Sequence, residues 1–356
     1  MSAAALERVV VAMSGGVDSS VAAARIVARG DEAIGVTMHL AGSRSRCCSL
    51  DDADDARRVA TRLGMRFYVA NYTEAFREEV TLRFADAYLA GRTPIPCVAC
   101  NQRFKFDHLL ERARIFGAGK VATGHYARID RDPETGRLRL RRARDATKDQ
   151  SYFLFGLSQE QLAAAEFPLG EMSKEEVRAE ARALGLGTAD KPESQEICFV
   201  PDGDYAAVVE RLRPEALPGP GDIVDRAGRV LGRHAGIHHF TVGQRRGLGL
   251  GGGKRLYVTA LDAARNRVVV GDERALEAPV ARVEDVRWVA GQAPADGTRA
   301  EVRVRHRHEP APARLEPGAD ATRVHFDAAV RALAPGQAAV FYRGDEVLGG
   351  GWIAGA

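Results

Sequence analysis

The segment from Arg8 to Gly30, RVVVAMSGGVDSSVAAARIVARG, places a glycine- and serine-rich loop between a short apolar run and a helical pattern. The run RVVVAM is typical of a strand that is buried on both faces, and Gly30 is a typical residue just beyond a helix end. A loop that joins a buried strand to the start of a helix is characteristic of parallel α/β sheets. This junction therefore restricts the beginning of the chain to a fold built from βαβ units.

The following hundred residues repeat the same alternation. Further strand patterns occupy 32–40, 65–71 and 120–129, and helical patterns occupy 51–64, 73–91 and 101–118. Strands that alternate with helices predict an α/β fold with a doubly wound parallel sheet. A β-hairpin is predicted over 126–142, and Ser173 with Glu176 predicts a capping box that opens a helix over 173–185.

The chain of 356 residues is too long for one ordinary hydrophobic core. Short strands punctuated by glycine and proline replace the helical patterns after Pro201, and alternating strand patterns dominate the tail. We therefore predict a doubly wound α/β domain over 1–205, a small mixed central domain over 206–276 and a C-terminal β-barrel over 277–356.

Composition excludes several classes of protein. An odd, sparse set of five cysteines argues against a secreted disulfide scaffold, and no stretch approaches the roughly 20 apolar residues of a membrane span. The first residues lack the pattern of a signal peptide, so a cytoplasmic protein with no membrane partner is expected. Cys47 and Cys48 are adjacent and receive no role.

The loop between the first strand and the first helix is suited to binding phosphate. Its glycines allow a tight turn, and consecutive backbone N–H groups at a helix start attract an anion. The loop matches neither the Walker A nor the G-x-G-x-x-G pattern. Two interpretations of Asp18 are open: it holds Mg²⁺, or it orders the loop. The candidate phosphate-binding residues are Ala12, Met13, Ser14, Gly15, Gly16, Val17, Asp18 and Ser19.

The pattern Ser-Gly-Gly-x-Asp-Ser resembles the pyrophosphate-binding loop of the N-type ATP pyrophosphatases, which cleave ATP between its α and β phosphates. Five more stretches follow in order: GRTPIPCVACNQRFKF (91–106), ATGHYAR (122–128), KDQSYFL (148–154), ESQEICF (193–199) and HHFTVGQRRGLG (238–249). Together they resemble the bacterial tRNA-specific 2-thiouridylases over essentially the whole chain. The resemblance implies that ATP, with Mg²⁺, adenylates the 2-oxygen of the wobble uridine and that sulfur then displaces AMP.

The resemblance also implies roles for individual residues. Cys198 would carry a persulfide received from a sulfur-donor protein, and Cys100 would attack that persulfide, releasing sulfide or leaving a Cys100–Cys198 disulfide. From the residues alone, Cys100 falls where a helix should begin, with Arg103 and Lys105 following, and such surroundings favour a thiolate. Met38 and Gly124 would contact ATP. The implied tRNA contacts are Ile95, Pro96, Cys97, His125, Lys148, Asp149, Gln150, Arg305, His306 and Gln337.

Arginine-rich stretches at 137–144, 243–247 and 303–308 suit a long anionic partner such as tRNA. His306 stands where family members often have tyrosine, which weakens the expected stacking contact. Gln337 matches a family position near the active site, so the tail is expected to fold over the substrate.

Cys97 departs from a common family pattern, in which an aspartate occupies this position. Three interpretations are open: Cys97 lines the uridine pocket, it is a spare resolving thiol, or it binds an iron–sulfur cluster with Cys100 and Cys198. No metal-ligand set is assigned, because a zinc site would need a fourth ligand that the sequence does not place.

Two rival functions remain. One is another pyrophosphatase of the superfamily, a ligase or amidotransferase, which would not need both Cys100 and Cys198. The other is a non-catalytic RNA-binding redox or metal sensor, which would leave the SGGVDSS loop unexplained. The sequence does not specify the sulfur donor, the set of tRNAs or the oligomeric state.

Overall fold

A computed structural model describes residues 7–40, 50–193, 197–200, 203–251 and 255–355 of the protein. Cys47 and Cys48 lie outside these residues, as do Ser194, Gln195 and Glu196 of the ESQEICF stretch.

The first half of the chain forms a parallel sheet and a hairpin. Its strands are β1 (Arg8–Ala12), β2 (Glu32–His39), β3 (Arg66–Asn71), β4 (Lys120–Thr123), β5 (Ala127–Arg131), β6 (Leu138–Arg142) and β7 (Ala165–Glu166). A five-stranded sheet in the order β3-β2-β1-β4-β7 is parallel at every pairing. Strands β5 and β6 pair antiparallel and form the predicted hairpin.

The helices are α1 (Val17–Ala28), α2 (Leu50–Arg62), α3 (Thr73–Phe76), α4 (Arg83–Leu89), α5 (Pro96–Ala99), α6 (Leu109–Ile115), α7 (Gln159–Ala164), α8 (Lys174–Ala183) and α9 (Tyr205–Leu212). π-Helical segments join α3 to α4 (Arg77–Leu82) and α5 to α6 (Cys100–His108). The predicted capping box of Ser173 and Glu176 opens α8. In the described part of the chain, no helix has the length and apolar character needed to cross a membrane.

Helices cover both faces of the parallel sheet. Alternate residues of β1 point to opposite sides, as in any strand. Val9 and Val11 pack with α1, α2 and α8, whereas Val10 and Ala12 pack with the helices that lie between residues 73 and 115. Strand β1 is apolar from Val9 to Ala12 and is buried on both faces, and the predicted doubly wound α/β fold is confirmed.

The prediction of a single strand over 120–129 is wrong. Strand β4 ends at Thr123, and the chain leaves the parallel sheet at Gly124–Tyr126 before β5 begins in a different sheet. The apolar alternation continues through this break, so periodicity alone does not reveal it. The break matters because it turns the backbone toward the start of α1.

The middle of the chain forms a mixed four-stranded sheet, as predicted. Strands β8 (Gly221–Asp225), β9 (Val230–His234), β10 (Tyr257–Asp262) and β11 (Arg267–Gly271) lie in the order β10-β11-β8-β9. The β11–β8 pairing is parallel and the other two are antiparallel.

The tail closes into the predicted antiparallel barrel. Its strands are β12 (Glu277–Trp288), β13 (Thr298–Arg303), β14 (Ala311–Pro317), β15 (Ala321–Arg331), β16 (Ala338–Arg343) and β17 (Glu346–Gly355). The order is β12-β15-β14-β13-β16-β17, and a β12–β17 pairing closes the ring.

The hairpin β5–β6 belongs to the barrel sheet, because β6 pairs with β17. Below it, Tyr152 is fully buried in a cluster that contains Leu140 of the hairpin and Val340 of the barrel. The Tyr152 hydroxyl donates a hydrogen bond of 3.0 Å to the Ala338 carbonyl. The domain boundaries at 205/206 and 276/277 stay predictions. The β5–β6 hairpin comes from the first half of the chain but belongs to the sheet of the C-terminal barrel.

We predict that Tyr152→Phe lowers the free energy of unfolding by about 1 kcal/mol, because one buried hydrogen bond is lost. Tyr152→Ala should cost roughly 3–5 kcal/mol, because removal of the ring leaves a cavity between hairpin and barrel. Urea unfolding followed by circular dichroism measures both. Equal losses for the two variants would show that the ring contributes nothing to this interface.

Candidate active site

The loop between β1 and α1 is held in shape by its own serines. Gly15 has φ +73°, and a Cβ there would lie 2.1 Å from the Asp52 carbonyl oxygen. The Ser19 and Ser20 hydroxyls donate to the Gly16 carbonyl at 3.1 and 2.8 Å. No side chain among the described residues caps the start of α1. The first backbone N–H groups of this helix are therefore placed to bind an anion.

Two lysines that the sequence analysis missed flank this loop. The Lys174 ammonium lies 2.7 and 2.9 Å from the two carboxylate oxygens of Asp18, and its residue is only 8% exposed. The Tyr126 hydroxyl donates to Asp18 at 2.8 Å. Lys191 donates to the Gly15 carbonyl at 3.1 Å and to Asp52 at 2.7 Å. Of the two interpretations of Asp18, this geometry favours loop ordering.

Lys174 also contacts Glu193, a residue close in sequence to the predicted catalytic Cys198. Its ammonium lies 3.0 Å from Glu193, which in turn accepts from Lys148 at 2.8 Å. Burial by itself would raise the pKa of Glu193, but hydrogen bonds from Lys148 and Lys174 hold it below its ordinary value. Glu193 precedes Cys198 by five residues, which span at most roughly 18 Å. The only sequence signal for Lys174 is its place after the cap residue Ser173.

Met38 and Gly124 lie at the ends of β2 and β4, on either side of β1. Met38 is buried in the hydrophobic cluster that also contains Val10. Gly124 approaches the start of α1 so closely that a Cβ would lie 2.7 Å from the Asp18 carbonyl carbon and the Ser19 nitrogen. The structure therefore gives Gly124 a definite reason to be glycine, which is contact with the loop backbone.

The ring of His125 has internal partners at both nitrogens. Lys105 donates to Nε2 at 3.3 Å, and Nδ1 lies 2.7 Å from the Thr123 hydroxyl. Because an ammonium can only donate, Nε2 is the acceptor and Nδ1 carries the proton. Burial, and then the Lys105 charge, lower the pKa of His125 well below 6.5. The predicted tRNA contact of this buried ring stays a prediction.

The side chains at 148–150 are likewise engaged inside the protein. Asp149 has a side chain that is 2% exposed and accepts from the backbone nitrogens of Ala143 and Ser151. The Gln150 side-chain oxygen accepts from the Tyr126 nitrogen at 2.9 Å. The predicted contact of Asp149 with a base stays a prediction.

Arg305 and His306 lie in the turn after β13, beside the 148–150 segment. The His306 ring centroid is 4.5 Å from that of Phe153, and Arg303 lies 3.7 Å from Asp149. Burial, followed by the charge of Arg303, lowers the pKa of His306 below 6.5. Arg305 is exposed. The structure thus brings together two groups of residues that are 155 or more positions apart in the sequence.

Ile95 and Pro96 line a cleft of about 350 Å³ between the helical segments and the barrel. Three arginines and three acidic residues also line it: Arg83, Arg92, Arg103, Glu79, Glu284 and Asp285. Gln337 donates to the Thr93 carbonyl at 2.9 Å, and the Thr93 nitrogen donates to the Pro335 carbonyl at 2.7 Å. The barrel therefore packs against this segment, and the expected closure of the tail over the substrate stays a prediction.

The expectation that a helix begins at Cys100 is wrong. The helix begins at Pro96, so Cys97 lies in its first turn and Cys100 is the first residue of the π-helical segment. The basic neighbours also have other partners: Arg103 pairs with Glu79 at 3.3 Å, and Lys105 donates to His125. The argument from a helix start at Cys100 therefore does not hold, and the thiolate stays a prediction.

Cys100 and Cys198 pack against the same hydrophobic cluster, and both are half-buried. Phe76 connects their surroundings, because its ring lies 5.4 Å from Phe104 and 5.9 Å from Phe199. Phe104 follows Cys100 in the same helix, and Phe199 is next to Cys198. Two segments that are about 100 residues apart in the sequence therefore pack against the same ring, that of Phe76.

A site for a single metal ion requires ligand atoms that lie close together. Within the described ranges, Cys97, Cys100 and Cys198 are not part of any group of at least three potential ligand atoms within 4.8 Å. An iron–sulfur cluster attaches its thiolates to different iron atoms, so this distance does not test that alternative.

Three family models match the chain. A tRNA methyl transferase HUP domain matches residues 7–202, a tRNA methyl transferase PRC-barrel domain matches 207–272, and an aminomethyltransferase beta-barrel domain matches 280–353.

Curated relatives match over nearly the full length. The tRNA-specific 2-thiouridylase MnmA of Solibacter usitatus (strain Ellin6076) is 52% identical, over 97% of this chain and 98% of its own. The protein of the same name from Geotalea uraniireducens (strain Rf4) is 51% identical, over 98% and 95%. A solved 4-thiouridine synthetase–RNA complex with bound ATP has a TM-score of 0.39 at 19% identity, over 59% of this chain and 51% of that chain.

We predict that the protein loses stability as pH falls below about 6.5 and that His125 contributes to this loss. The unfolded imidazole takes up a proton near pH 6.5, whereas the buried ring stays neutral, so the unfolded state binds more protons. The contribution approaches ~1.4 kcal/mol per pH unit. Urea unfolding from pH 7.5 to 5 should show a shallower pH slope for His125→Gln than for the wild type. An unchanged slope would contradict the neutral, buried ring.

Proposed function

The chain belongs to the family of the tRNA-specific 2-thiouridylases, and from that membership we propose that it is an ATP-dependent tRNA-uridine 2-sulfurtransferase. The observation that supports this proposal is a series of ion pairs that runs from the predicted phosphate loop toward the predicted sulfur-transfer cysteine Cys198. Asp18 of the phosphate loop, Lys174 and Glu193 form an ion-paired chain, and Glu193 lies five positions before Cys198 in the sequence. A ligase or amidotransferase would have no use for a thiol there.

The first proposed step activates the uridine. The 2-oxygen of the wobble uridine attacks the α-phosphorus of ATP, the bond to the bridging oxygen breaks, and pyrophosphate leaves. The backbone N–H groups at the start of α1 would bind the phosphates, as at other helix N-termini. Lys174 and Lys191 would add positive charge beside the loop. Such fixed donors stabilise charge that develops during the reaction.

Mg²⁺ would enter with the ATP phosphates. Mg²⁺ is commonly bound through one or two carboxylates together with substrate phosphates. The carboxylate of Asp18 already holds the Lys174 ammonium and the Tyr126 hydroxyl. The residues at this loop therefore fit a role in holding phosphate better than a dedicated metal site, and no step is assigned to a protein-bound ion.

The second proposed step transfers sulfur. The Cys100 thiolate attacks the inner sulfur of a Cys198 persulfide, which forms the Cys100–Cys198 disulfide and releases hydrosulfide. Hydrosulfide attacks C2 of the adenylated uridine, AMP leaves with the oxygen, and one proton is lost as the thiocarbonyl forms. An external thiol then supplies the two electrons that reduce the disulfide. Convergence of both cysteines on one cluster supports this pairing.

The persulfide sulfur would come from a donor protein, and the wobble uridine from a tRNA anticodon loop. The cleft beside Ile95 and Pro96, lined by three arginines, is the proposed place for the splayed base. Arg305 and His306, with the 148–150 segment, would contact the tRNA outside that cleft. We place the reaction in the cytoplasm, since its proposed substrate is tRNA.

Cys97 is proposed to lie at the edge of the uridine cleft rather than in the sulfur-transfer step. It follows Pro96, which lines that cleft, and it lies one turn before Cys100. The resolving-thiol and iron–sulfur interpretations remain as outcomes of the experiment on the cysteines below.

We predict that Gly124→Ala weakens ATP binding at least tenfold, or by about 1.4 kcal/mol. The new Cβ would lie 2.7 Å from the backbone at Asp18 and Ser19 and would displace the phosphate loop. Gly119→Ala is the matched control, because its Cβ would meet nothing within 4 Å. Isothermal titration with ATP and Mg²⁺ compares the two variants. Equal affinities would separate the loop from ATP binding.

We predict that Cys100→Ser and Cys198→Ser each abolish formation of 2-thiouridine, whereas Cys97→Asp retains it in air. Purified protein is incubated with ATP, Mg²⁺, a persulfide donor and unmodified tRNA, and thiouridine and AMP are quantified. Activity that appears only without oxygen, with bound iron that Cys97→Asp disturbs, would instead assign the three cysteines to a cluster. Absence of thiouridine with every protein, wild type included, would refute the proposed function.

A further inference from the structure

Two histidines of the HHFTVGQRRGLG stretch face one glutamate outside the site described above. His238 and His239 end the 3₁₀ turn Ile237–His239, and Glu210 lies on α9. Nε2 of His238 is 3.2 Å from Oε1 of Glu210, and Nε2 of His239 is 3.4 Å from the same oxygen. Two imidazoles from adjacent residues thus converge on a single carboxylate oxygen.

These separations match the edges of a tetrahedral metal site. With metal–ligand bonds of about 2.0–2.1 Å, neighbouring ligand atoms of a tetrahedron lie about 3.3 Å apart. The three ligand atoms all lie within 4.8 Å of one another, and this is the only such group in the part of the chain that the structure describes. Small side-chain rotations would bring all three onto one ion.

The surroundings also suit a bound ion. The His238 side chain is 4% exposed, and its Nδ1 is buried without a hydrogen-bond partner, so Nε2 carries its only polar contact. Glu210 and His239 are 44% and 37% exposed, which gives an ion access from solvent. A water molecule would complete the coordination at that open side, as in other sites with three protein ligands.

We propose that Glu210, His238 and His239 form a binding site for a divalent zinc-type cation. Two imidazole nitrogens and one carboxylate oxygen are a common ligand set for zinc, whereas Mg²⁺ prefers oxygen ligands alone. The site is independent of the proposed reaction and does not use the cysteines.

The ion would join α9 to the 3₁₀ turn that precedes the second half of the mixed sheet. Helix α9 buries Val208 and Val209 in the same hydrophobic cluster against which Cys198 packs. The cation would therefore brace the helix that follows the Cys198 segment, and its expected effect is on stability.

The test compares zinc binding by two double variants of the full chain. Glu210→Gln with His239→Ala removes two proposed ligands that are both partly exposed. Glu316→Gln with His325→Ala is the control, because these barrel residues form a His–Glu pair of 2.8 Å that belongs to no three-ligand group among the described residues. Both variants keep every cysteine, so any zinc that thiols bind contributes equally to the zinc stoichiometry of the two proteins.

Each protein is stripped with a chelator, titrated with Zn²⁺ by calorimetry, and heated with and without Zn²⁺. The wild type and the control should bind one more Zn²⁺ per chain than the Glu210/His239 variant and should show a larger zinc-dependent rise in Tm. Millimolar Mg²⁺ should not displace this ion. Equal zinc stoichiometry and equal Tm shifts in all three proteins would overturn the proposal.

Glu210→Gln alone provides a second variant if the double variant folds poorly, which its Tm in chelator reports. It keeps both imidazoles and should still weaken the additional site at least tenfold. Unchanged affinity in this variant would also contradict the proposal.

Discussion

The buried ammonium of Lys174 is the interaction on which the candidate active site depends. Burial of a charged side chain is costly unless opposite charges compensate it, and here Asp18 and Glu193 pair with the Lys174 ammonium. Removal of either carboxylate would leave a poorly compensated charge beside the phosphate loop. The same contact fixes where α8 lies against α1, because Lys174 is the first residue of α8 and Asp18 is in the first turn of α1. The loop, the two helices and Glu193 are therefore held by one cation.

Local patterns were sufficient to predict much of the fold. The apolar run 8–13 with the loop after it, the alternation that follows, and the capping box at Ser173 each concern residues that are close in sequence, and the structure confirms the elements that they predict. The phosphate loop could be recognised for the same reason, since its conformation is fixed by Gly15 and by hydroxyls within five residues. Family resemblance then supplied the two cysteines and the tRNA contacts, which no local pattern contains.

The remaining features depend on contacts between distant residues. Hydrophobic periodicity continues through Gly124, so it does not show that β4 and β5 belong to different sheets or that the hairpin extends the barrel. Nothing in the sequence around Phe76 indicates that its ring connects the surroundings of Cys100 and Cys198. The π-helical segment that begins at Cys100 is similarly invisible, because π and α conformations share the same residue preferences to a first approximation. No local pattern indicates the role of Lys174, since its partners are 156 and 19 residues away.

The ion-paired chain has a consequence for the order of events in the proposed reaction. Phosphate oxygens that reach the loop compete with Asp18 and Glu193 for the same ammonium, because Lys174 has only three donors. If the Lys174–Glu193 pair weakens, Glu193 keeps two other cationic neighbours. These are Lys148 and Arg178, and Arg178 lies 3.8 Å away. Nucleotide binding would then be coupled to the contacts of Glu193, and any such coupling is reciprocal. A site that activates uridine with ATP before sulfur arrives would benefit from such a link, because the adenylate is vulnerable to water until sulfur reaches it.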